Sequence, residues 1–194
     1  MPRTGIPEKL ESYAEYERLI NALVAAEAIE DSTKIWWDIR PSEKFPTLEM
    51  RVCDVCTRLD DALAVTAIYQ ALTRRILRLM KDNMRWRPYP AFLISENRWM
   101  AQRHGVSGRL IDFGAGKAMP YADILDELLT LISEDADALG CLAEVEHART
   151  IVKRGSSACR QADIYQQARS DGRRKREAFH AVVEDLVKET VADI

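Results

Sequence analysis

Ile35–Cys56, IWWDIRPSEKFPTLEMRVCDVC, is the stretch that decides how the remainder of the chain is read. Its two ends are rich in aromatic, aliphatic and β-branched residues and enclose the turn-forming run Pro41–Pro46, so Ile35–Arg40 and Thr47–Asp54 are predicted strands of a hairpin. Side chains alternate across a strand with period two. Ile35, Trp37 and Ile39 therefore share one face of the first strand, and Leu48, Met50 and Val52 share one face of the second. Closing the hairpin on those faces places Asp38, Arg40, Glu49 and Arg51 on a single outer surface.

That surface has two readings. One is a solvated sheet face with cross-strand ion pairs, each contributing roughly 0.2–1 kcal/mol. The other is an anion-and-metal site, because arginine forks match phosphate or carboxylate oxygens and a glutamate between them can hold Mg²⁺. Arginine in place of lysine, with Trp36, Trp37 and Phe45 alongside, favours the second.

Around the hairpin the chain reads as helices. Ser12-Tyr13-Ala14-Glu15 is a capping box that opens a helix striped by Tyr16, Leu19, Ile20, Leu23, Val24 and Ala28 and closed by Glu30-Asp31-Ser32. Thr57-x-x-Asp60 opens a long helix to about Lys81, with Arg74, Arg75, Arg78 and Lys81 read as solvated partners of its C-terminal dipole. Pro90 to His104 is a third helix, expected to be buried on more than one face, and Gly105 stops it. Gly108–Gly114 is a short third strand or extended segment. Pro120 begins a helix closed by Gly140, and helices over about Leu142–Lys153, Ser157–Arg169 and Arg173–Val191 follow, parted by Gly155 and Gly172. The fold class is α+β: a small antiparallel sheet, a hairpin with a third strand, packed with six to seven helices in a single domain over 1–194. A lone hairpin is marginal in water and exposes two edges. It is either roofed by the helices or completed by another chain or a second copy.

At 194 residues, 47% hydrophobic, 30% charged and with a net charge of −3, the chain has an ordinary globular composition. The acidic balance argues against nucleic acid or a polybasic membrane contact. No apolar run approaches the roughly 20 residues of a membrane span, and the first residues lack the apolar core of a signal peptide, so a cytoplasmic location is expected. Cys53, Cys56, Cys141 and Cys159 read as reduced thiols. FGAGKAMP, 113–120, does not make a phosphate loop, since Ala118 follows Gly116-Lys117 where Ser or Thr is needed, and Ile111 stands five positions before Gly116. His104, His147 and His180 read as structural. Arg173-Arg174-Lys175-Arg176 is a basic run at a helix start, where cations are unfavourable, and reads as a solvated turn.

Three segments carry a family resemblance: WWDIRPSEKFPTLEMRVCDVCTRLDDALA (36–64), ENRWMAQRHGVSGRLIDFG (96–114) and LGCLAEVEHARTIVKRGSSACRQ (139–161). They resemble the type 2 glutamate–cysteine ligases, also called carboxylate–amine ligases, from about residue 5 onward. The resemblance implies half of a glutamine synthetase-like catalytic fold, a funnel of antiparallel strands, and ATP-dependent amide formation through an acyl phosphate. It implies Glu49 as a Mg²⁺ ligand, Arg51 as a contact to the ATP γ-phosphate and Arg40 as a second phosphate contact. Asn97, Arg98 and Arg103 are implied to approach the substrate carboxylate, with buried polar pairing as the other reading. Arg160-Gln161 matches without a mechanism.

Family members carry a further carboxylate-rich strand toward their N-terminus. The expectation is accordingly that this chain is the C-terminal half of such an enzyme, acting on small amino acid substrates. It is expected to be inactive alone, to need a separate N-terminal half, or to self-associate through hairpin edges. The alternative is an inactive truncated homologue serving as a homo-oligomeric binding or regulatory module.

Overall fold

The computed structural model describes residues 3–192. The chain divides into two compact units, Met1–Asp54 and Val55–Ile194. It is α+β, as expected, with seven α-helices among the described residues.

In the first unit, β1 (Thr4–Gly5) pairs in parallel with β2 (Trp36–Trp37). The pairing is carried by Trp36 N donating to Arg3 O at 2.8 Å and Asp38 N donating to Gly5 O at 2.7 Å. Helix α1 (Tyr13–Ala25) starts where expected, with Ser12 Oγ accepting from Glu15 N. Its Glu15 carboxylate accepts from Glu11 N at 2.8 Å, one residue ahead of the cap. The helix stops five residues short of Glu30, and Glu27 takes a left-handed backbone, φ 53°.

The hairpin is shorter than its sequence pattern. The first strand breaks at Asp38, leaving β3 (Ile39–Pro41), which pairs antiparallel with β4 (Leu48–Met50). Tyr16, Ile29 and Ile35 form the unit's buried apolar centre, and the Tyr16 and Trp37 rings lie 6.2 Å apart. The expected sorting of faces is only half realised. Ile35 is inside, but Leu48 and Val52 are half exposed, and Arg40, assigned to the outer face, is buried. Arg40 can go in because its guanidinium meets carbonyls and a carboxylate there, which offsets the penalty of removing a charge from water.

In the second unit, α2 (Leu59–Lys81), α4 (Tyr121–Leu139) and α5 (Leu142–Arg154) build the core. Its buried side chains are Ala67 and Ala71 of α2, Leu125, Leu129, Ile132 and Ala136 of α4, and Val145 and Ala148 of α5. Methyl-sized residues on α2 let the helices approach closely, while α4 supplies the large aliphatic groups that fill the space. Gly140 closes α4 at φ 69°, in the left-handed region that favours glycine. Thr57 does not cap α2; its hydroxyl meets that of Ser157 at 2.7 Å.

Helix α3 (Ala91–His104) lies against β5 (Arg109–Asp112), which forms a hairpin with β6 (Lys117–Pro120). The expected single strand is therefore a pair: of the turn read over FGAGKAMP only 113–116 is a connection, and Lys117–Pro120 is the second strand. There Asp112 Oδ1 accepts from Gly114 N and Ala115 N at 2.7 and 3.0 Å. The expectation that α3 is buried on more than one face fails: none of its residues is buried, and Phe92 is 78% exposed. Its polar residues interrupt the apolar ones all round, so no continuous stripe is available for a neighbour to cover. Helices α6 (Ser157–Ser170) and α7 (Lys175–Thr190) pack as an antiparallel pair around Ala168, Ala178 and Val182. Among the described residues no helix is long and apolar enough to cross a membrane.

Candidate functional site

Register places Arg40 directly opposite Glu49 across β3 and β4. Arg40 Nε and Nη2 each lie 3.0 Å from Glu49 Oε2, and Arg51 Nη1 lies 3.2 Å from the same oxygen. One carboxylate oxygen is thus gripped by two guanidinium groups. Arg40 is 7% exposed, and its Nη1 donates to the carbonyls of Ser32 and Ile35, both at 2.9 Å. This ties the 3-10 turn Ser32–Lys34 beneath the hairpin, where the Ser32 hydroxyl in turn donates to Glu43 Oε2 at 2.6 Å. Arg51 is exposed, and its backbone N donates to Asp38 O at 2.7 Å, extending the pairing beyond β4. The hydrogen bond from Arg40, reinforced by Arg51, holds the Glu49 carboxyl below its ordinary range, so it is ionised near neutrality.

The three residues of the L-E-x-R strand and its partner are therefore brought together. The other candidates share α3 in the second unit. Asn97 donates from Nδ2 to Ile111 O at 2.8 Å and accepts at Oδ1 from Ile111 N at 2.7 Å. Its amide completes the backbone pairing of β5 as a neighbouring strand would. Arg98 is half-buried and Arg103 is exposed.

A family model described as Glutamate-cysteine ligase family 2 matches residues 1–185. The chain belongs to that family. It is 55% identical over its whole length to a protein of Rhodospirillum rubrum named "Putative glutamate--cysteine ligase 2", and covers 50% of it. Proteins of the same name from a Jannaschia species and from Ruegeria pomeroyi are 49% and 48% identical, with 51% and 50% of their lengths covered. The chain thus spans about half the length of the curated relatives it matches.

Glu49 by itself does not suit a divalent cation. Magnesium takes near-octahedral oxygen coordination, whereas Glu49 is a single carboxylate shared by two cations. Among the described residues no group of three or more His, Cys, Asp or Glu side chains is placed to hold a metal. The four cysteines are free thiols.

A second charged cluster escaped the sequence reading. Asp135 of α4 is completely buried, and Arg74, Arg75 and Arg78 of α2 converge on it. Arg78 Nη2 lies 3.0 Å from Oδ2, and Arg74 pairs with Oδ1. Burial alone pushes Asp135 up, but the hydrogen bonds from Arg78 and Arg74 outweigh it and hold the carboxyl below its ordinary range. These arginines, expected to be solvated, bind the core instead. The available signal was Asp135 itself, three positions after Ile132 on the apolar stripe of α4.

Arg160 and Gln161, without a role in the sequence, have structural ones. Arg160 holds Asp185 at 2.8 and 3.0 Å and also pairs with Glu189, which Arg58 grips from α2's start. Gln161 donates to Ser157 Oγ at 3.0 Å. His147 sits with Asp61 at 2.9 Å, and Arg154 completes that cluster.

Proposed function

We propose that this chain contributes residues to the active site of an ATP-dependent carboxylate–amine ligase of the glutamate–cysteine type. The observation that carries the reading is the convergence of Arg40 and Arg51 on Glu49 Oε2. In the proposed reaction a substrate carboxylate oxygen attacks the γ-phosphorus of ATP, ADP leaves, and an amine displaces phosphate from the resulting acyl phosphate. Positioning and charge neutralisation carry most of such catalysis. Arg51, exposed and planar, is assigned to the γ-phosphate. Arg40 reaches phosphate only by releasing Glu49, and otherwise fixes that carboxylate. Arg98 and Arg103 are assigned to the substrate carboxylate, and Asn97 to holding α3 for them.

Glu49 is the chain's own contribution to a Mg²⁺ site. The remaining oxygen ligands come, in this reading, from the length of the relatives that the chain does not cover, supplied by a complementary half. The half-exposed Leu48 and Val52 are where its strands would pack.

Titrating Mg·ATP into the chain with Trp86→Phe and Trp99→Phe changes leaves Trp36 and Trp37 as reporters. A saturable fluorescence change that Arg51→Ala and Glu49→Gln remove is expected. No change with the complementary half present, or a change that survives both substitutions, overturns the reading. A second reading, a regulatory module that binds without turnover, is favoured by the solitary carboxylate. It predicts nucleotide binding with no ATP hydrolysis when glutamate, cysteine and the complementary half are all supplied.

A further inference from the structure

The C-terminal end of α1 borders a cavity of about 680 Å³ that the ligase reading does not use. Its walls come from the first unit alone: the end of α1 and the residues just after it, the turn before β2, Trp36 of β2, and Arg3 ahead of β1. Val24, Ala28, Ile29 and Trp36 form its apolar lining, with Ile29 buried and Val24 half exposed. Small-molecule sites have this volume and this make-up, an apolar lining with a few placed polar groups.

Four charged side chains line the same cavity. Lys34 and Glu30 neutralise each other at 2.7 Å. Arg3 and Glu27 do not, and neither has an ion-pair partner among the described residues. The Arg3 guanidinium lies 6.0 Å from the centre of the Trp36 ring, and its buried Nε has no hydrogen-bond acceptor there. Buried donors are as a rule paired. One positive and one negative group thus line one apolar space without meeting each other.

The backbone points to the same two residues. Helix α1 ends in a Schellman motif, with Ala28 N donating to Leu23 O at 3.0 Å and Glu27 N donating to Val24 O at 2.9 Å. That motif puts Glu27 in the left-handed region, φ 53°, where glycine is the unstrained choice. Arg3 also has a positive φ, 66°. Of the three non-glycine residues with positive φ among the described residues, two are therefore the unpaired charges of this cavity. Strained backbone gathers at ligand clamps. No basic residue stands in the last turn of α1, so the negative end of its dipole is left to favour a cation beside Glu27.

We propose that this cavity binds a free α-amino acid with a large apolar side chain. The ligand's ammonium meets Glu27 at the end of α1, and its carboxylate takes the Arg3 guanidinium, whose planar fork matches two carboxylate oxygens. Its side chain lies against Trp36, Val24 and Ile29. A molecule carrying only one of the two charges leaves a charged group of the site unmatched. The site shares no residue with Arg40, Glu49 and Arg51 and is independent of the ligase reading.

Isothermal titration calorimetry on the full chain, without nucleotide or metal, tests it. The probes are L-phenylalanine, 3-phenylpropionate, which lacks the ammonium, and phenethylamine, which lacks the carboxylate. L-phenylalanine should bind saturably, and each single-charge probe about tenfold more weakly, the loss expected for one charged hydrogen bond. Glu27→Gly relieves the left-handed backbone, so this variant should melt no lower than the wild type while binding L-phenylalanine about tenfold more weakly. Arg3→Gln should weaken binding to a similar degree with an unchanged circular dichroism spectrum. Absence of saturable L-phenylalanine binding, equal binding of either single-charge probe, or binding that survives Glu27→Gly overturns the proposal.

Discussion

Arg40 and Glu49 face each other across β3 and β4, with Arg40 Nε and Nη2 both 3.0 Å from a single carboxylate oxygen. The same guanidinium holds the carbonyls of Ser32 and Ile35. It therefore joins hairpin and turn in one grip.

Removing that grip takes a buried donor from the carbonyls of Ser32 and Ile35 and leaves the Glu49 carboxylate with Arg51 alone. Arg40→Ala should destabilise the first unit by about 2 kcal/mol, the range for orphaned buried polar groups. Arg40→Lys should recover little, because an ammonium cannot reproduce the planar fork. Urea unfolding followed by Trp36 and Trp37 fluorescence measures both, and full rescue by lysine would count against the geometry described.

Stability should fall in acid. The Glu49 and Asp135 carboxyls are both held below their ordinary range in the folded chain. Their contribution is therefore complete above about pH 4, the unfolded values, and is lost as pH falls through the lower folded ones. Glu49 is partly exposed and screened, so Asp135 carries the larger share. Asp135→Asn should flatten the acid limb of the stability profile and cost about 3 kcal/mol at neutral pH, as expected on breaking a buried ion pair. Denaturant midpoints from pH 7 downward test the sign, and a variant with the wild-type slope would contradict it.

The helical core makes ordinary demands. Leu129→Ala should cost about 3 kcal/mol and Ile132→Val about 1 kcal/mol, the ranges for deleting buried methylenes. Thermal unfolding followed by circular dichroism at 222 nm, a helix signal, checks the order of the two.

Asn97→Ala removes both bonds to Ile111 and should cost about 2 kcal/mol. Hydrogen exchange at the Ile111 amide should accelerate without any ligand present. If exchange there is unaltered, the amide's structural role fails.

Much of this was legible beforehand. The helix starts at Ser12 and after Ser156, and the stops at Gly105, Gly140 and Gly155, follow from capping chemistry and left-handed glycine. The gathering of Arg40 and Arg51 about Glu49 followed from period-two alternation. What alternation could not supply was which face would be covered, and so Arg40 was placed outside when its partners lay within. Strands β1 and β6 escaped because two to four residues carry too little periodicity to register. Asp135 was visible as an acid on an apolar stripe. Its three arginines were hidden by a plausible local explanation, the dipole at the end of α2.

Ala64, Ala67 and Ala71 form a buried seam along α2, and their methyl groups set its distance from the neighbouring helices. Arg74, Arg75 and Arg78 continue the same helix one turn on, so their reach to Asp135 is measured from that seam. A bulkier side chain at Ala71 would act as a wedge, lifting the guanidinium groups off an anion that has no water to turn to. Three of the smallest side chains in the protein thus act as the gauge for its most deeply placed charge.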